Sequence, residues 1–373
     1  MITVIYLILL RYLYLSHTQA GMKVLSTYNT DPFLLDISKD LLIAFSKASN
    51  FCLLAVNQHC IPQLSMWLLH CSSGVGGGGG EGSGSHTEGS ADILNSGSGA
   101  FYVPPSLVDV SIDIVCGMCL SPTLSSFSTA QEPAEIVLSC LNILLSSLSV
   151  PSHPCRREGM QAVNLIFSHY QGRILDFFIP GCSASTRPVM NVESFALALA
   201  ELILQTLKGF EADGGVSGDC SGAVAGLFCH LLSNFKNSLD VFIVNSLLSA
   251  TLQCLRSATS CYVRSSLLMG LIHLFARDTA LLANSTSPLL GSLPPREPGG
   301  KTESALGYVL EEWCSLHVHL ESKYSGTIST LGFLELIKMF NMHASNHGFA
   351  LKVLQLTLKT LPRILLNEEG KID

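Results

Sequence analysis

From Asp31 to Leu69 the apolar positions recur every three or four residues, twice over. Phe33, Ile37, Leu41, Phe45 and Ala48 form the first stripe, and Asp36, Lys39, Asp40 and Lys47 fall largely off it. That period gathers apolar side chains on one face of a helix. The run from Phe51 to Leu69 repeats the pattern around Ile61-Pro62-Gln63-Leu64. A proline there removes a backbone donor and is expected to kink its helix. One such hairpin cannot bury both apolar faces, so it needs neighbours.

The pattern predicts those neighbours. Pro104-Pro105 suits a helix start, and Leu107, Val108, Ile112, Val115 and Cys119 make its stripe. Pro133 opens another helix, with Ile136, Val137, Leu141, Leu144, Leu145 and Leu148 on one side. Pro154 to Phe178 follows through Ala162, Leu165, Ile166, Ile174 and Phe178, then Asn191 to Leu207 through Phe195, Leu199, Leu202 and Ile203. Ser221 to Phe235 and Asp240 to Leu255 are joined by the short turn Lys236-Asn237-Ser238, which implies antiparallel neighbours. Tyr262 to Phe275, Ser304 to Leu320, Ile328 to Phe340 and Phe349 to Leu366 complete the set. No segment alternates with period two.

Two loops interrupt this order. Ser72 to Ala100 is dominated by Gly76 to Gly80 with Ser, Glu and Thr, and reads as a flexible surface insertion. No Gly-Lys-Ser/Thr follows the glycines, so a phosphate loop is not expected. Asn284 to Gly300 is rich in Pro, Gly and Ser. With both loops subtracted, the helical starts approach the ~40–47-residue period of HEAT units. The expected fold is therefore all-α, a right-handed HEAT-repeat α-solenoid of about six helical hairpins.

Composition narrows the class. Hydrophobic residues are 48% and charged residues 13% of the 373, which excludes wholesale disorder. A net charge of -7 argues against a nucleic-acid surface and for basic partners. The 13 cysteines are irregularly spaced within apolar runs, as in Cys52, Cys140, Cys229 and Cys254, a usage that fits a reducing compartment. Met1 to Leu15 is almost wholly apolar, lacks a basic region ahead of that stretch, and falls short of the ~20 residues a membrane span needs. A buried helix fragment or a wrongly assigned start is expected there, with a secretory or anchoring segment as the alternative. A multi-span protein is the competing class. Its best span, Ile136 to Val150, is short and carries Ser139, Asn142, Ser146 and Ser147.

Candidate chemistry is sparse. Cys116-Gly117-Met118-Cys119 is a single C-x-x-C inside a helix, where core packing is the expected role. His317 and His319 point to different sides of a helix. His343 and His347 lie one turn apart without the glutamate of H-E-x-x-H. No nucleophile elbow or carboxylate pair emerges, so no enzyme, metal or cofactor is expected. Trp313, after Glu311 and Glu312, reads either as packing between repeats or as an anchor in an acidic binding face.

Several stretches go beyond pattern. Tyr28-Asn29-Thr30-Asp31-Pro32-Phe33, continuing through Lys39-Asp40-Leu41, Phe45-Ser46 and Ile61-Pro62, resembles a HEAT repeat from the C-terminal half of β-karyopherins, the nuclear import receptors called importins. Ala305-Leu306-Gly307-Tyr308-Val309-Leu310-Glu311-Glu312-Trp313, then Tyr324-Ser325-Gly326, is similar to a later repeat. Pro105 to Ile114 and Ser266 to His273 match in order between them, so the resemblance spans about Val24 to Phe340 patchily.

The resemblance implies recognition of basic protein cargo on an acidic inner surface, with Ran GTPase governing release and the receptor shuttling between cytoplasm and nucleus. In the branch most resembled, cargoes include core histone dimers, ribosomal proteins and actin. The family's Ran-binding N-terminal repeats and its long acidic loop have no counterpart in this sequence, so a fragment with an apolar end at the first hairpin is expected. In the family the second helix of each pair lines the inner face, which points to Glu193, Glu201, Asp240, Glu311 and Glu312 as cargo-binding candidates. The expected divisions are an apolar segment 1–22, a hairpin 23–71, the insertion 72–103, repeats 104–283, a loop 284–302, repeats 303–366 and a tail 367–373. A HEAT scaffold unrelated to transport is the alternative function, and a membrane-anchored helical protein a further one.

Overall fold

A computed structural model describes residues 16–70, 103–127, 131–150, 153–178, 191–212, 220–277, 287–293, 303–317 and 323–342. The apolar start, the Gly-rich insertion, His319, His343, His347 and the helix expected at Phe349 to Leu366 lie outside these residues. The described residues are almost all helical, with one short strand pair among them. The helices are α1 (residues 16–27), α2 (Pro32–Ala48), α3 (Asn50–His59), α4 (Ile61–His70), α5 (Pro105–Cys119), α6 (Gln131–Leu148) and α7 (Arg156–Tyr170). Then come α8 (Val192–Ala212), α9 (Ser221–Phe235), α10 (Val241–Ser257), α11 (Cys261–Arg277), α12 (Ala305–His317) and α13 (Lys323–Met342). The described residues form two compact units, one ending at Tyr170 and taking in Asp176–Phe178, the other made of Gln171–Leu175 and everything from Asn191 onward.

Local chemistry sets the boundaries. Asp31 caps α2, its carboxylate accepting from the backbone N–H of Phe33 at 3.0 Å and of Leu34 at 3.2 Å. Ser49 caps α3 in the same way, accepting from the N–H of Cys52 at 3.2 Å. The run expected as one kinked helix is divided at Cys60, and Pro62 is the second residue of α4, where its missing donor leaves no gap in the ladder. Pro154 to Phe178 is likewise divided, into α7 and a 3₁₀ segment Gln171–Phe178. Within the expected Pro/Gly loop, Ser292–Leu293 pairs antiparallel with Glu303–Ser304, a strand pair that no period-two pattern announces.

In the first unit α2 packs on α3 and α5, α4 on α5 and α6, and α7 on both α5 and α6. α4 thus touches α6 and α5 touches α7, while α2 reaches α5 past α3 and α4, giving two rows, α4–α6 and α2–α5–α7. Close approach depends on small residues at the crossings. A Cβ at Gly117 on α5 would lie 2.9 Å from Ile43 of α2. Tyr170 at the end of α7 donates to the carbonyl of Cys119 on α5 at 2.7 Å, satisfying one of that helix's terminal acceptors. Ser121 and Thr123 do the same for the Ser46 carbonyl of α2, at 2.9 and 3.2 Å.

The first unit corrects the expectation for α2. Its buried positions are Leu35, Ser38, Leu42 and Ser46. Phe33, Ile37 and Leu41 do share a face, but that face is turned to solvent. Leu165 of α7, expected inside, is exposed as well. Small serines on the inward side of α2 let it lie close to its neighbours, and this outweighs the larger apolar stripe opposite.

In the second unit α8 packs on α9 and α10, and α11 on α9, α10, α12 and α13. Its core is aromatic. Phe195 of α8 meets Phe235 of α9 with centroids 5.6 Å apart, and Trp313 of α12 stacks on Phe333 of α13 at 4.0 Å. Among the described residues one stretch, Pro105–Ser125, is long and apolar enough to cross a membrane, and 67% of its most apolar window is buried inside the first unit.

Candidate binding face

The residues with chemistry in the cores are there for packing. Trp313 is fully buried, tilted against Phe275 at 5.4 Å, and its Nε1–H donates to Ser329 Oγ at 2.6 Å. The packing reading of Trp313 holds, and a side chain so enclosed cannot anchor a partner. Cys116 and Cys119 are buried on α5, where burial pushes the Cys116 thiol up to about 11 and, with Cys140 beside it, holds the Cys119 thiol well above the ordinary range. Thiols held protonated in this way are poor nucleophiles and poor ligands. Among the described residues no group of three His, Cys, Asp or Glu side chains could hold a metal ion. An open recess of about 290 Å³ is lined by Gln19, Met22, Lys23, Ser26, His59 and Gln63, and in it Ser26 Oγ donates to the Lys23 carbonyl at 3.0 Å.

The five carboxylates singled out from sequence all lie on α8, α10 and α12 or at their ends. Glu193 sits in the first turn of α8 and Glu201 further along it, both exposed. Asp240 caps α10, accepting from the N–H of Phe242 at 3.0 Å, so one of its oxygens already serves the helix. Glu311 is exposed on α12, and the neighbouring Glu312 is half-buried, its carboxylate 3.5 Å from Arg264 of α11. No two of the five share a partner, and two of them have structural work.

The structure assembles a different set in the first unit. On the α2–α5–α7 row, Asp36 and Asp113 lie against Lys39, and Asp109 feels the charges of these three and of Glu158. Lys39 Nζ lies 3.0 Å from Asp36 Oδ1 and 3.4 Å from Asp113 Oδ2. It is the only cation within ion-pair distance of these four carboxylates among the described residues. The hydrogen bond that Lys39 donates to Asp36 is the main influence raising the Lys39 ammonium above the ordinary lysine range. Asp109 is half-buried between them, and its carboxyl is pushed up by burial first, then by the charges of Asp113 and Glu158, with Lys39 offsetting part of this. Four carboxylates against one ammonium leave three negative charges in one place.

Sequence reasoning passed over this cluster because its members are scattered over three helices. The local signal was Asp109 and Asp113, four residues apart and therefore on one face of α5. Chemically the arrangement can receive cations: Asp36 and Asp113 remain well exposed, at 66% and 49%, while Lys39 is held back at 21%. No family model matches the chain, and no curated protein does either.

Proposed function

We propose that the chain is a HEAT-type α-solenoid segment of the β-karyopherin kind, binding basic protein cargo through the carboxylate face on α2, α5 and α7. The observation that carries the reading is the excess of carboxylates around Lys39. Exposed ion pairs contribute about 0–1 kcal/mol at best, and here Asp113, Glu158 and Asp36 each raise Asp109 while only Asp36 and Asp113 lie against Lys39. The cluster does not repay itself in stability, so a ligand of opposite charge is the simplest account of it. The two-row neighbour pattern within each unit is what stacked helical hairpins produce, and it supports the solenoid part of the reading. The resemblance supplies the transport part: a cargo such as a core histone dimer or a ribosomal protein, release governed by Ran, and shuttling between cytoplasm and nucleus. In this reading the protein is a receptor, not a catalyst, and needs no cofactor.

Titration of a core histone dimer onto the chain across a salt series tests the binding claim. Affinity is expected to fall steeply as ionic strength rises, because exposed carboxylates are screened over about 8–10 Å at physiological salt. Binding that ignores salt, or no binding, contradicts it. Nuclear accumulation of the same cargo in permeabilised cells, with and without Ran loaded with GTP, separates transport from a static scaffold.

A further inference from the structure

We propose that the outward face of α2 is a self-association surface, through which two copies of this chain pair antiparallel about a two-fold axis. Phe33, Ile37, Leu41, Ala44 and Ala48 run along that face at spacings of four, four, three and four, and all five are exposed. Phe33 is 70% exposed, Ile37 49% and Leu41 45%, well above the scattered single apolar residues of an ordinary surface. The inference does not depend on the cargo reading.

The stripe is graded along its length. Its N-terminal half carries the large side chains and its C-terminal half the two alanines. A two-fold antiparallel pairing sets each position against its mirror in sequence. Phe33 of one copy then meets Ala48 of the other, Ile37 meets Ala44, and Leu41 sits beside the axis. Bulk is matched with space at each contact. The charges follow the same rule. Asp36 and Lys47 lie on one edge of the stripe near its opposite ends, so each Asp36 comes within a turn of Lys47 on the other copy, twice over. Parallel pairing would set Phe33 against Phe33 and Asp36 against Asp36. A basic helix from another protein would gain Asp36 and Asp40 but meet Lys47. The one exception in the antiparallel pair is Asp40, which lies beside the axis near its own counterpart; with two Asp36–Lys47 pairs against that single contact, and bulk matched throughout, the second copy, antiparallel, is the occupant.

Sedimentation equilibrium on the full chain tests this. A concentration-dependent monomer–dimer equilibrium is expected. Phe33→Asp should weaken it by about 30-fold or more, as loss of a large buried anchor does, with the circular dichroism unchanged because Phe33 supports no core. Asp36→Lys and Lys47→Asp should each weaken the dimer, and the double swap Asp36→Lys/Lys47→Asp should restore most of it. Lys39 keeps Asp113 as a partner in these variants. A strict monomer, a dimer indifferent to Phe33→Asp, or a double swap that fails to recover would overturn the proposal. So would a monomer in which Ile37→Cys resists thiol labelling, since another part of the chain would then cover the face.

Discussion

His153 is buried in the first unit with its Nδ1 accepting from the N–H of Cys155 at 3.2 Å and its Nε2 unpartnered. Burial, and then the charge of Arg156, lower its pKa from 6.5 to about 4. The folded state therefore binds a proton less readily than the unfolded chain. Its contribution is complete above pH 6.5 and is lost as the pH falls from 6.5 towards 4, by on the order of 3 kcal/mol. Urea midpoints measured from pH 7 to pH 4 should fall, and His153→Phe should flatten that part of the curve; an equal slope in the variant would sink this account. Gly332 makes a second residue-scale case. Alanine normally favours a helix interior over glycine by about 1 kcal/mol, but a Cβ there would lie 2.7 Å from the Trp313 ring. That ring is fixed by Phe275, Phe333 and Ser329 and cannot swing aside, so overpacking of about 1–3 kcal/mol should win. Gly332→Ala is expected to lower the thermal midpoint; a rise would show that the indole moves.

At the scale of elements, α2 shows what a hydrophobic period conveys. Its spacing was legible in the sequence, and so was the position of the break near Pro62. Which side of it faces inward was not. A period identifies a face, while burial is decided by what crosses it, and here Ser38 and Ser46 allow close packing that Phe33 or Ile37 would prevent. The acidic face was hidden for a related reason. Asp36, Asp109 and Glu158 carry no local motif and meet only when α2, α5 and α7 pack side by side. Asp109 ties this element-scale arrangement to stability. Its raised pKa means that the ionised carboxylate opposes folding at neutral pH, and that the penalty disappears as the pH falls through the raised value to the ordinary carboxylate range. Asp109→Asn should therefore raise the midpoint of thermal unfolding at pH 7 with little change at pH 3. A lower midpoint at pH 7 would mean that the carboxylate is paired more tightly than its surroundings indicate.

Across the whole molecule, the all-α class and most helices were readable from the sequence because their periods are long and repeated. The strand pair at Ser292 and Ser304 was not, being too short to alternate. The sequence pointed to acidic candidates in the second unit, where Glu193, Glu201 and Glu311 stand apart and Asp240 and Glu312 already serve a cap and an ion pair. Packing concentrates charge in the first unit instead. The central claim, that basic cargo binds the α2–α5–α7 face, meets its most direct test in two charge-neutral variants titrated with the same core histone dimer. Asp109→Asn/Asp113→Asn should lose about tenfold or more in affinity, or ~1.4 kcal/mol, while Glu193→Gln/Glu201→Gln should bind like the unaltered chain. Equal affinities for the unaltered chain and the first variant, or a loss confined to the second, would contradict the account.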